Sequence, residues 1–314
     1  VAARRVDPPQ WVVPGAVIAR SLRGRLPPSE WYPAHEPGLE ARMVVLPSGE
    51  HVRVVEGGDA AAEPVVFIHG WGCSAYFFRR LLPAVMATGR RVLALDLRGH
   101  GGSDKPTDES RYTAEAMRGF VEDTLDALGV GPAHVVAHSL GGGVSLDVLT
   151  AAPHRARTLT LLAPVGLGPL RFIPLARLAS PAAVAPLVPY AVPRWSIPLV
   201  LRAVYGHEGR WGRRDVDEYW APTADPAFAL ALRALLHRFR FQPRTDAELA
   251  RVTVPTLVMF GGRDLLVRSR PSHARAQAMK GIRSVLVPGA GHVLAEEIPD
   301  RVLEELLPHL AHHR

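Results

Sequence analysis

Ser139 stands in the stretch Ala137-His138-Ser139-Leu140-Gly141-Gly142. The preceding run HVVAHS, residues 134–139, is short, apolar and strand-like, and residues 141–152 read as a helix. A serine at such a junction sits on a very tight turn, and its flanks must be small to avoid clashing across it. Ala137 and Gly141 meet that demand at the second residue on each side. The helix start also offers N–H groups and a dipole toward developing negative charge. A serine hydroxyl is a weak nucleophile unless a base takes its proton, and the base needs an acid to orient it. Of 14 histidines, His292 follows the last strand-like run through Pro288-Gly289-Ala290-Gly291. Gly261-Gly262-Arg263-Asp264 places Asp264 at the end of the strand before that. Ser139, His292 and Asp264 are the candidate nucleophile, base and acid, and the Leu140 N–H is a candidate donor to an oxyanion.

The elements that must position these groups follow from periodicity. RMVVL and HVRVV, separated by Pro47-Ser48-Gly49, read as a β-hairpin over 41–55. VVFIH (65–69), VLALDL (92–97), TLTLLAPV (158–165), TLVMF (256–260) and SVLVP (284–288) are apolar runs suited to strands covered on both faces. Helices are expected over 77–88, from Thr113 to about 128, and over 272–279 and 299–310. Strands alternating with helices imply βαβ units and a mainly parallel sheet. Residues 166–242 break the rhythm, being rich in proline and aromatics with only short helical pieces such as 228–239. The expected organisation is an N-terminal extension (1–40), a core (41–165 and 243–314) and an inserted helical cap (166–242).

The chain resembles the α/β-hydrolase superfamily of serine hydrolases from about residue 41 onward. The small-x-Ser-x-Gly elbow, with Ala137 in place of the usual first glycine, is one motif, and the order Ser139, Asp264, His292 is another. Asp96-Leu97-Arg98-Gly99-His100-Gly101-Gly102-Ser103-Asp104 looks like that family's D-x-R-G-x-G-x-S loop, and His69-Gly70-Trp71-Gly72 like its oxyanion loop. The resemblance implies an α/β fold with an eight-stranded, mostly parallel sheet and a cap after the sixth strand. It also implies the Trp71 N–H as the second oxyanion donor, with His69 bracing that loop. Family members acting on haloalkanes or epoxides use a carboxylate at the elbow, so serine favours acyl chemistry. The expected activity is hydrolysis of carboxylic esters with an apolar acyl chain, of carboxylesterase or lipase type. C–C bond hydrolases, perhydrolases, lactonases and acyltransferases share the triad, and a slow ligand receptor is the non-enzymatic alternative. The chemistry needs no metal and no organic cofactor.

Composition sets the remaining bounds. With 314 residues, 47% hydrophobic and 21% charged, the chain can build a globular core. A single cysteine, Cys73, excludes an intramolecular disulfide and multi-cysteine metal sites. The net charge of +7 comes from scattered arginines, only Lys105 and Lys280 being lysines, so no nucleic-acid partner is expected. Arg4, Arg5, Arg20, Arg23 and Arg25 against Asp7 concentrate charge in residues 1–25, around the apolar WVVPGAVIA. That run is too short to span a bilayer, which takes about 20 residues. Packing on the main domain is the expectation for this segment, with peripheral contact to an anionic membrane as the other reading. The apolar run 178–193 holds four prolines and cannot be one helix. It is expected to form a greasy wall over the site. A cytoplasmic location is favoured, with Val1 leaving room for a removed targeting segment. The sequence does not give the oligomeric state.

Overall fold

A computed structural model of the chain describes residues 24–171, 173–181 and 192–312. The expectations for residues 1–23, and for most of the run 178–193, fall outside these residues.

Eight strands form one sheet: β1 (Leu39–Val45), β2 (His51–Gly57), β3 (Pro64–Ile68), β4 (Arg91–Leu95), β5 (Ala133–His138), β6 (Ala156–Leu162), β7 (Thr256–Gly261) and β8 (Ile282–Val287). Their order is β1-β2-β4-β3-β5-β6-β7-β8. The pairings β1–β2 and β2–β4 are antiparallel and the other five are parallel. This is the α/β-hydrolase sheet that the resemblance implied.

The apolar runs become strands because both sheet faces are covered. Alternate residues of β3 and β4 divide between two cores: Val66, Ile68, Leu93 and Leu95 enter one, Val65, Phe67, Val92 and Ala94 the other. Helices Ala114–Ala127 and Leu140–Ala151 close the first face. Chain 75–86 and helix Pro299–Ala311 close the second, with Phe77, Leu82, Val302 and Leu306 buried beneath them. Each such buried side chain contributes about 1.5–3 kcal/mol of hydrophobic free energy. The Thr113 side chain caps its helix by accepting from the Ala116 N–H at 3.2 Å.

The helix expected over 77–88 is not continuous. A 3-10 turn at Ala75–Phe78 is followed by a separate helix, Leu82–Met86. Pro83 supplies no N–H, so a helix running through it would lose a hydrogen bond, whereas in the first turn of the new helix that N–H is not needed.

Between β6 and β7 the chain leaves the sheet and forms helices Ile173–Leu178, Ile197–Val204, Arg213–Trp220, Pro226–Arg238 and Asp246–Leu249. Where it departs, Leu170 forms an isolated antiparallel bridge with Val267, beyond β7. Where it returns, the Arg244 N–H donates to the Gly166 carbonyl at 2.8 Å. Among the described residues no helix is long and apolar enough to cross a membrane.

Candidate active site

β5 ends at His138 and the next helix starts at Leu140, so Ser139 alone makes the turn. Its backbone takes φ +48° and ψ −113°, a strained conformation for a non-glycine residue. The surroundings over-determine that strain. The Ser139 N–H donates to the Leu162 carbonyl at 3.0 Å, and its own carbonyl accepts from Val165 at 2.9 Å and Gly143 at 3.2 Å. Gly141 is required by close approach: a Cβ there would run into the backbone oxygens of Ile68 and His69.

Ser139, Asp264 and His292 lie far apart in sequence and meet at the C-terminal ends of the strands. His292 Nε2 lies 3.0 Å from Ser139 Oγ, and His292 Nδ1 lies 2.7 Å from Asp264 Oδ2. The other Asp264 oxygen accepts from the Leu266 N–H at 2.7 Å and the Val267 N–H at 2.9 Å. An acceptor-only carboxylate on one side puts the imidazole proton on Nδ1. Nε2 is then free to accept from the hydroxyl. All three side chains are buried, which strengthens each contact relative to water.

Leu140 opens its helix, so its N–H has no intrahelical acceptor. The loop bearing Trp71 presses on the elbow: a Cβ on Gly70 would fall 2.6 Å from His138 Nδ1 and 3.0 Å from the Ser139 Cβ. The Trp71 indole N–H donates to the Leu232 carbonyl at 3.0 Å, anchoring the loop to helix Pro226–Arg238. His69 spans this loop and the next. Its Nε2 accepts from the Leu97 N–H at 3.0 Å, leaving Nδ1–H to donate to the Gly70 carbonyl at 2.7 Å. Burial lowers the His69 pKa and keeps it neutral for that role.

The loop after β4 holds turns. Asp96 accepts from Ala75 N–H at 2.7 Å, Gly102 N–H at 2.9 Å and the Arg53 guanidinium at 3.1 Å. Arg98 pairs with Glu50 and donates to the carbonyls of Arg111 and Ala116. His138 stacks on Phe77 at 4.0 Å and lies 3.2 Å from the His292 carbonyl through Nε2. Burial, then the neighbouring His292, depress its pKa well below the ordinary histidine value. Cys73, half-buried, has a thiol pKa raised by burial and is no thiolate at neutral pH.

Sequence reasoning passed over two residues beside His292. Glu297 and Glu296, soon after His292, point their carboxylates inward against the inserted chain. Two adjacent glutamates at a helix start look like ordinary surface residues, and nothing local marks them otherwise. Among the described residues no cluster of His, Cys, Asp and Glu could hold a metal ion.

The family described as alpha/beta hydrolase fold matches residues 63–299. The chain belongs to that family. The chain is 32% identical over 268 residues to the dihydrolipoyllysine-residue acetyltransferase component of an acetoin cleaving system from Pseudomonas putida, covering 84% of this chain and 68% of that one. Solved structures agree on the fold. A carboxylesterase from Bacillus subtilis superposes with a TM-score of 0.74 at 21% identity, over 94% of this chain and 96% of that one. A bacterial membrane phospholipase A gives 0.74 at 24% identity, over 88% and 87%.

Proposed function

We propose that this hydrolase cleaves carboxylic esters with an apolar acyl chain through a covalent acyl-enzyme on Ser139. The observation that carries the reading is the unbroken hydrogen-bond chain Ser139–His292–Asp264, at 3.0 and 2.7 Å, on a strained turn at a helix start. His292 Nε2 takes the hydroxyl proton as Ser139 Oγ attacks the ester carbonyl. Asp264 holds the ring and stabilises the imidazolium without itself taking the proton. The backbone N–H groups of Leu140 and Trp71 receive the oxyanion. The imidazolium returns its proton to the departing alkoxide, and the C–O bond breaks. Water, deprotonated by the same imidazole, then attacks the acyl-enzyme and releases the acid and free serine.

Serine at the elbow favours this acyl route over alkyl-ester routes, which need a carboxylate nucleophile. Two observations support an apolar acyl chain. Leu265, directly after Asp264, is 58% exposed, and Trp71, in the oxyanion loop, is 40% exposed. Apolar side chains left open around polar chemistry suit an apolar ligand. The described parts of residues 166–242 are read as a cap over this site. The Pseudomonas putida relative carries an acetyltransferase name, and an acyl-enzyme can pass its acyl group to an alcohol or thiol as well as to water.

A fluorophosphonate probe should label Ser139 in the wild type and not in Ser139→Ala. A p-nitrophenyl ester series from acetate to palmitate should favour the longer chains. A preference for acetate by more than about tenfold, or 1.4 kcal/mol in the barrier, overturns the apolar-chain assignment. Added alcohol that diverts most product into a new ester would favour transfer over hydrolysis.

A further inference from the structure

We infer that Glu297 is a positioning residue for His292, stapling the histidine loop to a strap of inserted chain, residues 204–208, without which the loop has no fixed shape. The inference rests on the triad reading above and adds a part to it.

The strap crosses the loop in backbone contact. The His292 N–H donates to the Val204 carbonyl at 2.7 Å, and the His207 N–H donates to the Gly289 carbonyl at 3.0 Å. Between these bonds the chains cross at Gly206 and Gly291. A Cβ on Gly206 would lie 2.6 Å from the Gly291 nitrogen, and one on Gly291 would lie 2.5 Å from the Val204 oxygen. Glu297 closes the crossing from one side. Its carboxylate is buried and accepts from the Gly291 N–H at 2.6 Å and from the Glu208 N–H at 3.2 Å, one donor from the loop and one from the strap. A buried carboxylate is costly unless such donors satisfy it, so the two bonds hold as a set.

The neighbouring Glu296 binds the same piece of inserted chain by side chains. It accepts from the Tyr205 hydroxyl at 3.1 Å and the Tyr219 hydroxyl at 2.8 Å, and it pairs with Arg79. Arg79 also meets Asp215 at 2.5 Å, on helix Arg213–Trp220. The acid loop is treated alike. Beside the Leu170–Val267 bridge, the Arg171 N–H donates to the Leu266 carbonyl at 3.1 Å and the Arg268 N–H donates to the Pro169 carbonyl at 3.2 Å. Both loops that bring acid and base to Ser139 are therefore completed by inserted chain. The loop Pro288-Gly289-Ala290-Gly291 is short and rich in glycine, so the strap and Glu297 fix where the imidazole stands. A displacement of about 1 Å at such a group costs on the order of a hundredfold in rate.

The test compares wild type with Glu297→Ala, alone and on a His292→Ala background, reading kcat, KM, the rate of fluorophosphonate labelling at Ser139 and the melting temperature. Glu297→Ala should lower kcat and labelling by about ten- to a hundredfold, leave KM little changed, and add no further loss once His292 is gone. Glu297→Gln, which keeps one acceptor oxygen, should recover part of the rate. The downfield proton resonance of the His292–Asp264 hydrogen bond should be sharp in wild type and lost in Glu297→Ala. If Glu297→Ala does not fold, Glu297→Gln takes its place in each measurement. Unchanged kcat and resonance in a folded variant overturn the assignment, as does a loss that persists in full on the His292→Ala background. A wild type that neither labels nor hydrolyses esters removes the triad reading instead, and the resonance still decides whether Glu297 positions the imidazole.

Discussion

The elbow under Ser139 and the loop under His292 lie 3.0 Å apart at their side chains, yet they are built on opposite principles. The elbow is made by a strand, a helix and small residues within two positions of the serine, pressed against neighbouring strand ends. The histidine loop is held by residues that arrive from the insertion, Val204 to Glu208, and by a carboxylate one short helix further on. A nucleophile can be encoded locally because its requirement is a backbone shape. A base has to be aimed at something else, and its aim is set by whatever packs behind it.

The largest effect should come from the elbow itself. Ser139→Ala should lower ester turnover by about 10⁶-fold, the scale on which triad nucleophiles are lost, with melting temperature unchanged. Residual turnover within about a hundredfold of wild type would mean that another group attacks.

Arg244 tests how local the elbow is. Its guanidinium pairs with Asp147 on the elbow helix at 2.7 and 2.6 Å, just where the insertion rejoins the core. Arg244→Met leaves Asp147 without its partner and should cost about 3–5 kcal/mol in denaturant unfolding. Labelling at Ser139 should stay near wild type in the folded fraction. A parallel loss of labelling would show that the elbow, too, depends on the insertion.

Gly141→Ala asks the same question from inside the turn. The added methyl meets the Ile68 and His69 carbonyls and should cost about 1–3 kcal/mol while moving the N–H groups proposed to receive the oxyanion. Labelling should fall more than stability does, and the reverse outcome would make the glycine a packing residue only.

The smallest effect lies at the far end of the insertion. Hydrogen bonds from the Arg240 guanidinium, then from Thr245, hold the Glu248 carboxyl down to about 2, from an ordinary 4.5. The folded state then binds this proton more weakly than the unfolded chain does. Its contribution is complete above about pH 4.5 and is lost as pH falls toward 2. The pair is partly exposed and screened by solvent, so Glu248→Gln should cost no more than about 1 kcal/mol at pH 7. Denaturant melts should give a smaller cost at pH 3, and an equal cost at both would remove the ion pair as its source.

The same division explains what could be read from the sequence. The parallel strands were legible because each carries a continuous apolar run, the first two because a turn separates them, and Ser139 because its turn demands small neighbours. Asp264 and His292 were legible through their places after β7 and β8. The break at Pro83 was legible in principle, yet the stretch 77–88 is long enough for one helix and reads as such. Glu296 and Glu297 were not legible, because the partners that give them a role, Tyr205, Glu208 and Tyr219 on the inserted chain, sit some eighty to ninety residues away. A buried pairing between distant segments leaves no periodic trace in either of them.

The bridge between Leu170 and Val267 bears on how such enzymes can be recombined. Exchanging the whole insertion for a relative's would replace part of the frame that sets Asp264 and His292, as well as the surface proposed to meet substrate. A chimera that keeps residues 169–171 and 204–208 with their native loops, and varies the helices beyond them, would change selectivity while leaving the proton relay in register.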